Sequence, residues 1–284
     1  MDNKTSILVS NSMGSVGKTT VSLILGESFA HKGKSIAMLD LDYSKIDTCQ
    51  YFATQKDLAK MFDEFTLHGT LEFIMDNLTN ILRGVNRNDL HKSVSMSLIY
   101  KENNDNFAVV ATKPKITKIY PRLSSEHLAI NHIIKYVIEA LHFFFDVVII
   151  DTPPDIINPI TQSAFAGAEN LLIVTDVSEF SYAGINSVID YYERVSCTSN
   201  TGLNLSGIVV NKYKKYTNNT DIFFETLMNE YTNKVFFNNL PEYEDLANFT
   251  QSNNFIPHDK YKEATPNTKK VINNFFEELL NRIN

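Results

Sequence analysis

Short apolar runs separated by amphipathic stretches recur along the chain. The runs at 6–10, 35–39, 108–111, 147–150, 171–175 and 207–210 are rich in Ile, Val and Leu and are bounded by polar or turn residues, so they read as strands. Apolar residues recur at helical spacing over 19–31, 58–62, 70–78, 130–142, 160–166, 181–196, 220–231 and 268–282. This alternation predicts an α/β fold, doubly wound, with a mostly parallel sheet flanked by helices. The Asn-rich stretches 103–106 and 218–219 read as turns, and no internal repeat is present. The last helix carries Val271, Ile272, Phe275, Phe276, Leu279, Leu280 and Ile283 on one face, with Glu277 and Glu278 in its middle. That stripe is expected to pack on the sheet rather than lie on a membrane, where a basic polar face is the rule.

The most informative segment is the first strand together with the loop after it. Ile7-Leu8-Val9 runs into Asn11-Ser12-Met13-Gly14-Ser15-Val16-Gly17-Lys18-Thr19-Thr20 and then into a helix. Strand, glycine-containing loop and helix start are the context of a phosphate-binding loop. Backbone N–H groups from Gly14 to Thr20 are expected to wrap a phosphate, helped by the partial positive charge of the helix start. Lys18 can bridge the terminal phosphates and the Thr19 hydroxyl can ligate Mg2+. The pattern G-x-x-x-x-G-K-[ST] is complete except that Ser12 takes the first glycine position.

Two further strands end in carboxylates. Residues 35–42 end in Asp40-Leu41-Asp42, and 143–150 lead into Asp151-Thr152-Pro153-Pro154. Ligands of open parallel sheets bind beyond the carboxyl ends of the strands. Asp40, Asp42 and Asp151 are therefore expected to converge on the loop carrying Lys18. Thr19, two phosphate oxygens and a water held by Asp151 would suit Mg2+, which keeps several waters.

These residues resemble the ParA-type ATPases of the ParA/MinD family, the deviant P-loop group. Its members read N-x-K-G-G-V-G-K-T-T, then D-x-D-P-Q, then D-x-P-P, here at 11–20, 40–44 and 151–154. Gly207-Ile208-Val209-Val210-Asn211 is similar to the family strand whose Asn reads adenine, and Leu240-Pro241 to its Ile-Pro. The likeness covers most of the chain, loosely over 49–105. It implies a P-loop NTPase fold with ATP and Mg2+ as cofactors. Lys18 and Asp42 are the implied catalytic residues, Asp42 orienting the attacking water. Asn211 and Pro241 join the loop residues in binding nucleotide. Thr19, and Asp151 through water, hold the metal. The resemblance further implies an ATP-driven homodimer, nonspecific DNA binding, and a ParB-like centromere-binding adaptor that stimulates hydrolysis. Together these describe a plasmid or chromosome partition switch. The alternatives are a MinD-like positioning ATPase on a membrane or protein scaffold, and a catalytically weak, nucleotide-dependent assembly protein.

Three departures from the family pattern matter. Met13 stands where the family's signature lysine reaches the partner's phosphates, Ser15 replaces a glycine, and Tyr43-Ser44 replaces Pro-Gln. Without the lysine, weak dimerisation and slow hydrolysis are expected unless Lys113, Lys115 or Lys212 fills the gap. Lys212, Lys214 and Lys215, interleaved with Tyr213 and Tyr216, form the candidate DNA-binding cluster or, equally, a solvated loop. Asp245 occupies a place where relatives often carry arginine.

The 284 residues, 43% hydrophobic, can bury one large core, so 1–284 reads as a single ParA-like domain without an N-terminal helix-turn-helix. A net charge of −7 gives no global basic footprint. Cys49 and Cys197 lack metal spacing, and no stretch approaches the ~18 apolar residues of a membrane span. The expectation is a cytoplasmic protein, nucleoid-associated if it binds DNA, without a membrane role. The seven histidines are dispersed and receive no chemistry.

Overall fold

The computed structural model describes residues 4–43, 47–52, 66–101, 104–121, 132–214, 218–247 and 260–283. The expected strands 6–10, 35–39, 147–150, 171–175 and 207–210 form β1 (Thr5–Ser10), β2 (Ile36–Asp40), β5 (Val147–Asp151), β6 (Asn170–Thr175) and β7 (Asn204–Tyr213). The expected strand 108–111 is the buried end of β4 (Asn104–Val110). A short β8 (Leu240–Pro241) closes one side and β3 (Ile99–Lys101) the other. The sheet order is β3-β4-β2-β5-β1-β6-β7-β8, and among the described strands only β3 runs antiparallel to its neighbour. Its strands are apolar on both sides because helices cover both faces.

One face carries α1 (Lys18–His31), α2 (Asp47–Phe52) and α11 (Pro266–Leu280). The other carries α3 (Leu67–Leu82), α4 (Arg87–Met96), α5 (Ile133–Leu141), α6 (Pro159–Gly167), α7 (Glu179–Cys197) and α8 (Asn218–Tyr231). Two short helices, α9 (Glu244–Ala247) and α10 (Lys260–Glu263), precede α11. Caps fix three starts. Asn158 accepts from the Ile160 N–H, Ser178 from that of Ser181 and Thr265 from that of Thr268. The apolar stripe of α11 is buried through Ile272, Phe275, Phe276 and Leu279, and Phe276 meets Phe29 of α1 edge to face at 4.7 Å.

Several local expectations are corrected. Residues 104–106 do not form a turn but begin β4, carried along by pairing with β3. Asn218 and Asn219 open α8. Helices α2 and α4 and strand β3 carry too few apolar positions to stand out; α4 buries only Leu90 and Val94. The expected helix 58–62 lies outside the described residues, as do 130–131 of the expected 130–142. Among the described residues no helix is long and apolar enough to cross a membrane.

Candidate nucleotide site

Sheet register builds the site. β5 lies between β1 and β2, which pairs Val9 with Asp151 and Asp40 with Asp151 at the carboxyl edge. Two buried carboxylates thus sit side by side where the loop after β1 turns into α1. Thr152 braces this edge by donating its hydroxyl to the Val9 carbonyl at 2.9 Å.

The loop itself is held from three sides. The Asn11 amide donates to the Val174 carbonyl at 2.7 Å, and its oxygen accepts from the Met13 N–H at 2.8 Å. Helix α7 closes against it at Gly184, where an added Cβ would lie 2.3 Å from the Asn11 oxygen and 2.9 Å from Met13 Cγ. From the end of β7, the Asn211 amide donates to the Val16 carbonyl at 2.9 Å and the Lys212 ammonium to the Ser15 carbonyl at 2.7 Å. Consecutive β7 residues therefore clamp consecutive loop carbonyls. Ser15, Gly17 and Lys212 all adopt positive φ, at 64°, 98° and 55°. The Ser15 substitution therefore carries backbone strain.

Lys18 is buried and donates to the Met13 carbonyl at 2.8 Å, so its charge lies inside the loop. The Thr19 hydroxyl donates to Asp151 at 2.6 Å, and Ser22 lies 3.4 Å from the other Asp151 oxygen. The Asp42 N–H donates to Asp40 at 2.9 Å. Burial, followed by the Asp151 charge, holds the Asp40 carboxyl well above the usual carboxylate range. Burial pushes Asp151 up to about 6 against the pull of Thr19 and Lys18. Excess buried negative charge beside a threonine hydroxyl is a donor set that fits a hard divalent cation.

The structure brings Lys18, Thr19, Asp40, Asp42, Asp151 and Asn211 to this edge. Gly14 and Ser15 crown the loop in solvent, Val16 is buried, and Gly17 and Thr20 are half-buried. Pro241 lines a hollow of about 770 Å3 at the ends of β7 and β8, together with Tyr213 and Tyr243. The proposed DNA cluster does not stand free. Lys212 is bonded to the loop and Lys214 pairs with Glu242 at 2.7 Å, while Lys215 lies outside the described residues. Lys115 lies near His68, on a short 3-10 turn away from β7. Ser22, Thr152 and Gly184 also shape the site and were not among the expected residues. The first two sit one turn or one residue from motif positions, whereas Gly184 has no local signal.

Residues 4–205 match the family model described as an AAA domain. The chromosome-partitioning ATPase Soj of Thermus thermophilus is 24% identical over 85% of this chain and 82% of its own. A McdA–ATP complex from Cyanothece superposes with a TM-score of 0.75 at 16% identity, covering 98% of this chain and 97% of that one. A putative plasmid partition protein from Borrelia burgdorferi, bound to AMPPNP, gives 0.71 at 16% identity over 99% and 100%. The chain belongs to the AAA domain family, in its ParA-type branch of the P-loop ATPases.

Proposed function

We propose that this chain is an ATP-dependent switch for DNA segregation that acts as one ParA-like unit. ATP and Mg2+ bind at the carboxyl edge, and two copies then meet face to face over the nucleotides. The dimer engages DNA nonspecifically until a ParB-like adaptor speeds hydrolysis. The observation that carries this reading is the meeting of Lys18, Thr19 and Asp151 at the end of β1 and β5. Lys18, which donates to the Met13 carbonyl, would turn to phosphate oxygens. Thr19 and, through water, Asp151 would hold Mg2+, which would supply charge neutralisation at the phosphates. Asp42 orients the attacking water, a positioning role. Asn211 and Pro241 flank the base.

DNA binding rests on the resemblance, since Lys212 and Lys214 already have partners within the chain. A MinD-like membrane role is disfavoured by the burial of the apolar face of α11. The test is titration with a nonhydrolysable ATP analogue. Lys18→Ala should lose roughly tenfold or more in affinity, as expected for a charge-assisted contact of about 1.5–3 kcal/mol. Thr19→Ala should weaken binding with Mg2+ more than without it. A Lys18→Ala protein that binds like the parent means the loop is misassigned.

A further inference from the structure

The nucleotide site occupies the carboxyl edge of the sheet. A second hollow, of about 660 Å3, lies at the opposite edge, between the end of α3, the start of α4 and the outer side of α5. Lys4, Arg87 and Lys135 stand on its wall, all exposed. None forms an ion pair with a carboxylate among the described residues. Lys4 donates to the His142 carbonyl and lies close enough to Asp146 to help hold its carboxyl below the usual range, so Arg87 and Lys135 supply most of the wall's uncompensated charge. Glu139 is the one acidic side chain among the described lining residues. In a chain with a net charge of −7, such a basic cluster runs against the overall balance.

The same wall is apolar where it meets solvent. Leu82 and Phe143 are 64% and 63% exposed. The His91 ring stacks on Phe143 at 4.3 Å. Nearby, His132 Nδ1 and His142 Nε2 are buried without a hydrogen-bond partner among the described residues. Cations outside any ion pair, set around a concave, partly aromatic hollow, mark an interaction site rather than a solvated face.

We propose that this hollow docks a segment of a partner protein in which acidic residues flank a large apolar side chain. The carboxylates would meet Lys4, Arg87 and Lys135, and the apolar side chain would cover Leu82 and Phe143. Duplex DNA needs a row of cations tracking its phosphates, whereas here the cations ring a concavity that also holds Glu139. A bilayer needs a flat or protruding apolar face. Docking here leaves the nucleotide edge open, so the partner can stay bound through the nucleotide cycle. The proposal does not depend on the nucleotide reading.

The test pans a phage-displayed library of random dodecapeptides against the full chain and against Arg87→Glu/Lys135→Glu. Both substituted side chains are exposed, and circular dichroism checks the fold. Should the double variant misfold, Arg87→Gln/Lys135→Gln replaces it. The expected enrichment is for Asp and Glu around Leu, Phe or Trp. A synthetic consensus peptide should bind the parent, weaken by about tenfold or more in the charge variant, and weaken as salt rises. Phe143→Ser should weaken it also. Enrichment of peptides without acidic residues, no enrichment, or equal binding to the charge variant would overturn the proposal. Short duplex DNA and phosphatidylglycerol vesicles are run alongside. A parent that binds either of them through Arg87 and Lys135, and binds no acidic peptide, would also overturn it.

Discussion

The phosphate loop turns through positive φ at Ser15 and Gly17, 64° and 98°, and only Ser15 pays for it in strain. Left-handed backbone costs an L-residue roughly 1–2 kcal/mol, and glycine escapes this cost. Gly17 carries a second constraint, since a Cβ there would fall 2.0 Å from the Asn211 amide nitrogen. Gly17→Ala should therefore displace Asn211 from the Val16 carbonyl and weaken nucleotide binding by roughly tenfold or more. Ser15→Gly has the opposite logic. It removes strain but loosens the unfolded chain, so stability should stay within about 1 kcal/mol of the parent and binding should persist. Calorimetric titration with an ATP analogue and thermal unfolding check both outcomes. If Gly17→Ala binds normally, the clamp from β7 is not what shapes the loop.

Helix α1 is tied down at its far end by a polar group the sequence did not advertise. Glu27 is buried and accepts from the Lys101 ammonium of β3 and from the Tyr51 hydroxyl of α2. Lys101 also lies 5.0 Å from the Tyr51 ring centroid. Removing one partner leaves a buried charge uncompensated, so Lys101→Ala should cost about 3–5 kcal/mol. Replacing both, as Glu27→Leu/Lys101→Met, should recover most of that loss in a denaturant titration. A double variant as unstable as the single one would show that packing, not charge, is at stake. This network explains one limit of the sequence reading. The parallel strands and the phosphate loop were legible because their signals are local, an apolar run or a fixed spacing. Strand β3 was not, because a lysine in its last position reads as exposed until a glutamate 74 residues earlier is known to meet it. The convergence of Asp40 and Asp151 was legible from strand ends alone, whereas the approach of Gly184 to the loop depends on how α7 packs.

The two edges of the sheet respond to pH with opposite sign. At the amino-terminal edge, burial lowers the His142 pKa. A depressed folded pKa means stability that is present above the unfolded value of about 6.5 and is lost as pH falls. Asp40 and Asp151, raised by burial, lose stability as pH rises through their folded values instead. The comparison of parent with His142→Gln isolates the first effect, since the site carboxylates titrate in both. The variant should gain melting temperature relative to the parent as pH drops from about 7 to 5. A constant difference would show that His142 does not titrate on unfolding. The carboxyl edge also sets how two copies would meet. Ile157, Phe180 and Ile222 are 76%, 75% and 62% exposed, and follow β5, β6 and β7 around the nucleotide site. A face-to-face dimer would cover them. Burying a Phe side chain is worth about 1.5–3 kcal/mol, so Phe180→Ser should weaken ATP-dependent association by roughly tenfold or more. Nucleotide affinity of the monomer should not change, because Phe180 is on the solvent side of α7. Met13→Lys tests the same contact from the phosphate side. Met13 Cγ packs at Gly184 of its own chain, so the natural residue offers no charge to a facing copy. A lysine there should tighten the dimer by roughly one to two decades. Analytical ultracentrifugation with the ATP analogue reads both variants. If neither shifts the monomer–dimer balance, the copies do not meet across this edge and the switch works by another contact.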